Sequence, residues 1–418
     1  MSAGEDRAAQ AAEARLVAAA TISNLGSMLT RIALPFVAVD VLGASAREMS
    51  ALNAARVLPA LALGLAVAGF VDRRRKRGLL IASDLGHAAL LAAVPAAHVL
   101  GVLSMPVLWL LALVSGLLSL VFEVARHAYV AALVARERLV LVNSRITAGN
   151  AAAEAFAFAA GGWLVQWLTA PLALLADAVS YLASAACLGG IRAREPEPAG
   201  ARGPASPWLA GAERRGVLPG LRAIRASPEL LALAWVGAAG VLANEVLGVV
   251  YMLFVRRELG FSPGTLGMLF AVGSLASLGA SVLAVRVGHA LGPRAAMGVS
   301  LGAAGLAVAA LALAPGATSL GAALIALQQL GDAGFVVFEI HALSRRQAAA
   351  PAELQGRIHG TFSFLSSWAM LAGALLGGLL GDALGPRATI ALAGGAFVAL
   401  ALAWWAFAPK GDAPRAAP

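Results

Sequence analysis

The chain has 418 residues, of which 60% are apolar and 13% are charged, and its mean hydropathy is +0.82. Soluble domains contain about half apolar and a quarter charged residues, so this composition excludes an ordinary soluble protein. The formal net charge is +9. The basic residues lie between apolar stretches rather than in one patch, so we expect an integral membrane protein that binds no nucleic acid.

A helix needs about 20 apolar residues to cross a bilayer core, and the sequence predicts twelve of them in succession. They cover residues 16–43, 49–71, 78–99, 104–132, 139–167, 170–191, 229–255, 263–287, 293–314, 317–343, 355–381 and 386–408. Runs of this length lack the period-2 alternation of a spanning β-barrel. The predicted fold class is therefore an all-α membrane protein with 12 transmembrane helices in two six-helix bundles.

Polar segments divide the chain into the predicted bundles. We expect an N-terminal segment at 1–15, bundles at 16–191 and 229–408, a linker at 192–228 and a tail at 409–418. The linker is basic and rich in proline, which is typical of a spacer that lies against anionic headgroups, although it could also dock a partner.

The distribution of positive charge predicts the orientation. If the connectors alternate between the two sides, about 23 Lys and Arg residues lie on one side and about four on the other. The positive-inside rule then places both termini and the linker in the cytoplasm. The first fifteen residues mix acids with bases and do not resemble a cleaved signal, so we expect the amino terminus to stay in the cytoplasm. The expected location is the bacterial inner membrane, with many spans.

The two halves echo each other. Gly161-Gly162 is answered by Gly377-Gly378, 216 residues later, and Arg77 by Arg294, 217 residues later. Two parallel six-helix repeats joined by a cytoplasmic linker resemble the layout of the major facilitator superfamily, in which substrate binds between halves that rock.

A motif between spans 2 and 3 supports this resemblance. The string Ala68-Gly69-Phe70-Val71-Asp72-Arg73-Arg74-Arg75-Lys76-Arg77 resembles the superfamily's G-x-x-x-D-R-x-G-R-R, with Ala68 and Arg75 in place of its two glycines. The resemblance implies that Asp72, Arg73 and Arg77 latch the cytoplasmic ends of the halves. The alternative is that these consecutive bases only set the orientation.

The whole chain further resembles the subgroup that contains the enterobactin exporter and macrolide-efflux proteins. The strings that carry this likeness are GFVDRRRKRGLLIASDL, FEVARHAYVAALVARERLVLVNSR, GGWLVQWLTAPLALLADAVSYL, VRRELGFSPGTLGMLFA and GALLGGLLGDALG. Two features depart from the drug antiporters. Span 4 begins without the Arg of their proton-antiport motif, and Ala157-Phe158 replaces the Gly-Pro expected in span 5.

Polar residues inside the spans identify candidate cavity faces. A charge at the bilayer centre is costly, so such residues normally face a cavity or a partner. In span 5 one stripe at i, i+4, i+7 and i+11 contains Asn143, Thr147, Asn150 and Glu154. Apolar surroundings disfavour the charged carboxylate, so Glu154 is a candidate proton carrier. The alternative is a structural carboxylate bonded to a neighbouring helix.

Three other spans carry similar faces. They contribute Thr21, Asn24, Ser27 and Arg31 in span 1, Asn244 and Glu245 in span 7, and Gln328, Asp332, Phe335 and Glu339 in span 10. A buried guanidinium cannot readily lose its charge, so we expect Arg31 to be the counter-charge to one of these acids. In span 4 the spacing of Glu123, Arg126 and His127 favours an intrahelical ion pair. Asp84 and His87 stand alone on their faces, and we interpret them as structural.

The resulting hypothesis is a proton-coupled exporter of an amphipathic small molecule, such as a drug, siderophore or metabolite. Protonation of Glu154, Glu245 or Asp332 would alternate with substrate binding. A proton-coupled importer, or a membrane sensor or scaffold on the same fold, remain alternatives. No catalytic or nucleotide-binding motif is present, so we expect no enzyme activity, cofactor or metal. The expected partners are substrate, protons and membrane lipids, and the expected state is a monomer.

Overall fold

The computed structural model describes residues 3–134, 138–191, 217–351 and 354–409, which contain no β-strand. The helices are α1 (Ala3–Phe36), α2 (Ala46–Asp72), α3 (Lys76–Val99), α4 (Met105–Leu133), α5 (Leu139–Leu168), α6 (Ala170–Gly189), α7 (Val217–Ala226), α8 (Pro228–Met252), α9 (Pro263–Leu291), α10 (Pro293–Leu311), α11 (Ser319–Ala349), α12 (Gln355–Leu384) and α13 (Pro386–Phe407). Short π-helical turns, Val37–Val41 and Leu253–Glu258, follow α1 and α8.

The predicted all-α class is confirmed, and each predicted span coincides with one long helix. Within the described ranges, ten helices are long and apolar enough to cross a membrane. The count becomes eleven when α2, which bends by 65° between Gly64 and Ala66, is taken as one span. Helix α5 has the length of a span at 30 residues. Its polar Asn150, Glu154 and Gln166 lower its apolar character.

Helix ends follow local sequence signals. Pro228, Pro293 and Pro386 lie in the first turns of their helices, where the missing backbone N–H costs no hydrogen bond. The hydroxyl of Ser227 accepts a hydrogen bond from the Leu230 N–H at 3.3 Å. The hydroxyl of Thr318 likewise accepts a hydrogen bond from the Gly321 N–H at 3.1 Å. These contacts satisfy donors that a helix start leaves unpaired.

The described residues divide into two compact units. The first contains residues up to 43, residues 55–191 and a short segment at 263–267. The second contains residues 44–54, 217–262 and 268–409. The chain therefore exchanges two short segments between its units, the start of α2 and the start of α9.

The same packing pattern recurs inside each unit. In the first, α1 packs against α5 and α6, and α3 packs against α4 and α6. In the second, α8 packs against α12 and α13, and α10 packs against α11 and α13. Each unit also has its own apolar cluster, built around Leu16, Tyr129 and Leu188 in the first and around Phe397 and Trp404 in the second.

Equivalent arginines close the two units in the same way. Arg77 Nε donates to the Leu188 carbonyl at 2.9 Å, and its Nη2 donates to the Gly189 carbonyl. Arg294 Nη2 donates to the Trp405 carbonyl at 2.6 Å. Each arginine lies at the start of its unit's third helix and binds the end of the sixth, where carbonyls lack helical partners. The Arg77 and Arg294 positions that repeat in the sequence therefore make the same kind of contact in the two units.

The last part of the predicted linker is helical. Helix α7 packs against α12, with Ile224 buried and Gly220 against Thr361. The rest of the predicted linker, 192–216, and the tail from residue 410 lie outside the described residues. Residues 3–15 of the predicted N-terminal segment continue into α1.

Many large apolar side chains are exposed, as a lipid-facing surface requires. Leu110 is 60% exposed, Trp235 68% and Leu402 65%. In water, apolar exposure along whole helices would drive aggregation, whereas hydrocarbon accommodates it.

A close contact between Gly162 and the exchanged segment 263–267 makes a first prediction. A Cβ added at Gly162 would lie 2.4 Å from the Pro263 carbonyl oxygen and 2.7 Å from Gly267 Cα. We expect Gly162→Ala to lower the free energy of unfolding in detergent by about 1–3 kcal/mol, because backbone atoms must move apart. Gly240 has no atom within 4 Å of its added Cβ.

Gly240→Ala is therefore the matched control. It should leave stability unchanged or raise it by up to about 1 kcal/mol, since Ala is the better helix former. Thermal unfolding of the purified variants measures both effects. Equal stability of the two variants would contradict the close packing at Gly162.

Candidate functional site

The first unit contains a cavity of about 100 Å³ lined mainly by polar side chains. Five helices contribute to its wall. The lining residues are Ala20, Ser23, Asn24 and Ser27 of α1, His87 of α3, Ser119, Phe122, Glu123 and Arg126 of α4, Asn150 of α5 and Tyr181 of α6. Polar side chains inside a membrane-spanning bundle normally face a cavity or a partner, so this cavity is a candidate small-molecule site.

Hydrogen bonds between helices hold the predicted polar residues in this wall. Asn24 Nδ2 donates to the Asn150 carbonyl at 3.2 Å, which joins α1 to α5. Ser27 donates to the Ser23 carbonyl at 2.9 Å, and its hydroxyl lies 2.8 Å from that of Tyr181. The side-chain Oδ1 of Asn150 is buried and has no hydrogen-bond partner in the described part of the chain.

His87 and Tyr181 form a stacked pair at one side of the cavity. Their ring centroids are 4.5 Å apart and the rings are inclined by 8°. His87 Nδ1 lies 3.0 Å from the Ser83 carbonyl, and its Nε2 lies 3.2 Å from the Ser115 carbonyl and 3.2 Å from the Ser119 hydroxyl. These contacts fix the imidazole and so fix the face that Tyr181 stacks on.

A charged pair completes the cavity wall. Arg126 Nη2 donates to Glu123 Oε2 at 2.6 Å, and His127 lies 3.5 Å from the same oxygen. The intrahelical ion pair predicted from the spacing is therefore present. Because Glu123 and Arg126 also line the cavity, the pair offers a ligand both an acceptor and a donor of charge-assisted hydrogen bonds.

Two buried acids lie next to the cavity in the same unit. Asp84 is fully buried and Asp177 is 1% exposed. Asp177 accepts hydrogen bonds from Thr30 and from Ser180, the latter at 3.0 Å. Asp84 faces Ser184, but its two oxygens have no partner at hydrogen-bond geometry among the described residues. The fold thus buries one carboxyl group on each of the packed helices α3 and α6.

The second unit contains a separate polar network. Tyr251 donates to Gln328 Oε1 at 2.7 Å, and Gln328 Nε2 donates to both oxygens of Asp332 at 2.9 Å. Gln329 Nε2 donates to the Tyr251 hydroxyl and to Gln328 Oε1, both at 3.1 Å. Gln328 and Asp332, four residues apart in the sequence, therefore do contact each other, and Tyr251 of α8 extends the network to a second helix.

The remaining candidate acids are less buried than Asp84 and Asp177. Glu154 is half-buried and makes no hydrogen bond or ion pair to any described residue. Glu245 is half-buried next to Gly373 of α12. Glu339 is exposed and interacts electrostatically with Arg346.

Three polar candidates remain. Asn244 is exposed. Asn143 and Thr147 lie in α5, but their side chains are outside the described residues.

Arg31 is exposed, and its Nη1 contacts Met28 Sδ at 3.5 Å. It forms no ion pair with an acid in the described part of the chain. Its predicted role as a counter-charge therefore stays a prediction. Among the described residues, no group of three or more His, Cys, Asp or Glu side chains is placed to hold a metal ion.

Comparison with known proteins assigns the family. The model of the Major Facilitator Superfamily matches residues 16–374 and 239–418, which together cover nearly the whole chain. The chain belongs to the Major Facilitator Superfamily. No curated protein matches it.

Solved transporters of this superfamily share the fold. The nucleoside transporter NupG superposes with a TM-score of 0.76 at 12% identity, over 96% of this chain and 100% of its own. A bacterial homologue of the human lysosomal transporter Spinster gives 0.71 at 14% identity, over 95% of both chains. An inward-facing bacterial homologue of the iron transporter ferroportin gives 0.69 at 18%, over 93% of this chain and 98% of its own. This member of the superfamily is a membrane transporter and not an enzyme.

The superfamily's motif between spans 2 and 3 adopts a defined local structure. Asp72 ends α2, Arg73 is exposed, and Lys76 Nζ donates to the Asp72 carbonyl at 3.2 Å. Arg77 binds the end of α6 within the first unit, as described above. The latch predicted for Asp72, Arg73 and Arg77 stays a prediction, whereas the local role of Arg77 as a cap of α6 is visible in the contacts.

Sequence reasoning missed the contribution of Asp177 and undervalued Asp84, His87 and Tyr181. A signal was present in both helices. Asp84 and His87 are three residues apart in α3, and Asp177, Ser180, Tyr181 and Ser184 fall at i, i+3, i+4 and i+7 in α6. Such pairs share one face of a helix.

The network around Asp332 makes a second prediction. Gln328→Met should lower the free energy of unfolding by about 1–3 kcal/mol, because the carboxyl of Asp332 loses its donor and the Tyr251 hydroxyl loses its acceptor. Asp332→Asn in the Gln328→Met background should cost less than in the native background. A double-mutant cycle by thermal unfolding measures the coupling, which we expect at about 1–2 kcal/mol. Additive effects of the two substitutions would contradict the network.

Proposed function

We propose that this transporter exports an amphipathic small molecule in exchange for protons. The single observation that carries the proposal is the polar cavity of the first unit next to buried acids. A membrane protein does not bury ionisable groups in apolar helices without a partner or a function, so such groups normally mark a substrate or proton route. The second polar network, around Asp332, adds an acid to the candidates for proton binding.

The chemistry of the cavity favours a ligand with a polar head. Asn24, Ser27 and Asn150 offer hydrogen bonds, Glu123 and Arg126 offer opposite charges, and the His87–Tyr181 stack offers an aromatic surface. A cavity of about 100 Å³ admits a head group rather than a whole drug-sized molecule. An amphipathic substrate meets both requirements, because its apolar part can remain against apolar helices.

The proposal also covers the direction of transport, the membrane in which the protein lies and the subgroup to which it is related. We place it in the bacterial inner membrane with both termini in the cytoplasm, on the charge distribution of its connectors. Its likeness to the enterobactin exporter and macrolide-efflux subgroup supports export of a drug, siderophore or metabolite. We propose that it works as a monomer embedded in lipid, and that Asp72, Arg73 and Arg77 gate its cytoplasmic side.

A flux experiment tests the function. Inside-out vesicles containing the protein are energised, and proton release is recorded while lipophilic cations, macrolides and catecholate siderophores are added one at a time. We expect release with at least one class of compound, and loss of that release in one of the variants Glu154→Gln, Glu245→Gln and Asp332→Asn. Asp40→Asn is the matched control, because Asp40 is an exposed acid just after α1.

The outcomes separate the alternatives. Substrate-driven proton uptake instead of release would identify an importer. No response to any compound by folded, inserted protein would favour a sensor or scaffold. Proton release that survives in the triple variant Glu154→Gln, Glu245→Gln and Asp332→Asn would exclude all three acids as carriers and direct attention to Asp84 and Asp177.

A further inference from the structure

His87 is held between two helices in the wall of the cavity. It belongs to α3 and is 3% exposed. Its Nδ1 lies 3.0 Å from the Ser83 carbonyl of the same helix, and its Nε2 lies 3.2 Å from the Ser119 hydroxyl of α4. A buried polar ring is stable where such contacts replace those with water. The imidazole is therefore fixed in one place and one orientation.

The fixed imidazole sets the position of Tyr181 on α6. The two rings stack with their centroids 4.5 Å apart and their planes inclined by 8°. Tyr181 is 7% exposed, so its ring has little room to slide along the imidazole. The Tyr181 hydroxyl lies 2.8 Å from the hydroxyl of Ser27 on α1, and Ser27 also lines the cavity. The position of His87 is thus passed through one ring to Ser27.

The direction of these hydrogen bonds follows from the hydrogens available. Ser27 has one hydroxyl hydrogen, and it donates this hydrogen to the Ser23 carbonyl at 2.9 Å. Tyr181 is therefore the donor in its contact with Ser27. A hydroxyl oxygen that donates one hydrogen bond and accepts one keeps a single lone pair. Ser27 can then only accept a further hydrogen bond, so a ligand that binds it must supply the donor.

Two other contacts hold α1 against α6 in this register. The Thr30 hydroxyl of α1 donates a hydrogen bond to the Asp177 carboxyl group of α6. Gly26 of α1 lies against α6 so closely that an added Cβ would overlap the Ser180 hydroxyl. Because these contacts fix the two helices, a displaced aromatic ring on α6 cannot be compensated by a shift of α1.

We propose that His87 is a positioning residue of the cavity, which acts through Tyr181 to hold Ser27 as a hydrogen-bond acceptor for the substrate. This inference rests on the proposed function, because it takes the cavity as the substrate site. It goes further by naming the chemistry of the substrate at this point. The head group carries a hydrogen-bond donor, such as a hydroxyl group, an amide N–H or an ammonium group.

Fluorine NMR of the full chain in detergent tests the His87–Tyr181–Ser27 connection without any substrate. The chain has three tyrosines, so incorporated 3-fluorotyrosine gives few signals, and Tyr181→Phe identifies the one of interest. We expect His87→Leu and Ser27→Ala each to shift the Tyr181 signal. The first removes the ring on which Tyr181 stacks, and the second removes its acceptor. The signals of Tyr129 and Tyr251 should stay in place, which verifies that the variants are folded.

Transport kinetics test what the connection does. In the vesicle experiment, with a compound that gives proton release, His87→Leu should raise the KM about 2- to 10-fold, the loss expected for one hydrogen bond. The maximal rate should be nearly unchanged. Tyr181→Phe should have a similar effect, because the Ser27 oxygen is no longer held in place. His87→Leu should add nothing in the Tyr181→Phe background, since both changes act through one contact.

Two variants of histidines on α3 serve as controls. His87→Phe keeps an aromatic ring against Tyr181, so it should restore most of the affinity that His87→Leu loses. His98→Leu makes the same substitution at an exposed histidine in the last turn of the helix. It should change neither the KM nor the Tyr181 signal.

The donor requirement is tested with a pair of ligands. A transported compound is compared with its methylated analogue, in which methyl groups replace the hydrogens of its hydroxyl or amino groups. The native protein should have the lower KM for the parent compound, and Ser27→Ala should lose this preference. An equal preference in both proteins would contradict the assignment of Ser27 as the acceptor.

Two further results would overturn the proposal. One is a Tyr181 signal that His87→Leu leaves unmoved. The other is an effect of His87→Leu on the KM that is as large in the Tyr181→Phe background as in the native protein. The proposed function fails separately: if no compound drives proton release, the proposed exchange is wrong, and the Tyr181 signal still decides the role of His87. Proton release with an unmoved Tyr181 signal would support the exchange and defeat the positioning role.

Discussion

The structure depends on one constraint, the absence of water as a partner for polar groups inside a bilayer. Backbone groups meet it by forming helices, and side chains meet it by pairing within the protein. Many of the paired groups of this transporter lie in two places: the cavity of the first unit and the Tyr251–Gln328–Asp332 network of the second. Other pairs join helices one by one, such as the ion pair of Arg345 on α11 with Glu229 on α8 at 2.8 Å. Large apolar residues are exposed on the described helices, as lipid requires.

The two units share a scaffold but differ in chemistry. Both place the same helices in contact, and both use an arginine at the start of the third helix to bind the end of the sixth. In the first unit the contact of the third and sixth helices contains Asp84, His87, Asp177 and Tyr181. In the second the corresponding contact is apolar, with Leu301 buried on α10 and Phe397 buried on α13. The repeat thus supplies the same architecture twice, whereas the buried acids Asp84 and Asp177 belong to the first unit.

The sequence predicted the helices better than the site, for a physical reason. Span length and apolar content are properties of a single segment of the sequence. All twelve long helices therefore lie where hydropathy indicated. Faces such as Asn24 and Ser27, or Gln328 and Asp332, follow from helical spacing within one segment. The stacking of His87 on Tyr181 does not, because it joins two helices about ninety residues apart through tertiary packing. A polar side chain in an apolar run carries no signal of which other helix it will contact.

A proton count on ligand binding tests the central claim most directly, namely that substrate binding and proton binding are coupled in this transporter. Purified transporter in weakly buffered detergent is mixed with a compound that it transports, and a pH-indicator dye records protons released per bound molecule. Because binding and protonation are reciprocally linked, the account predicts release of up to about one proton by the native protein and none by the triple variant Glu154→Gln, Glu245→Gln and Asp332→Asn. Equal release by both proteins would contradict it.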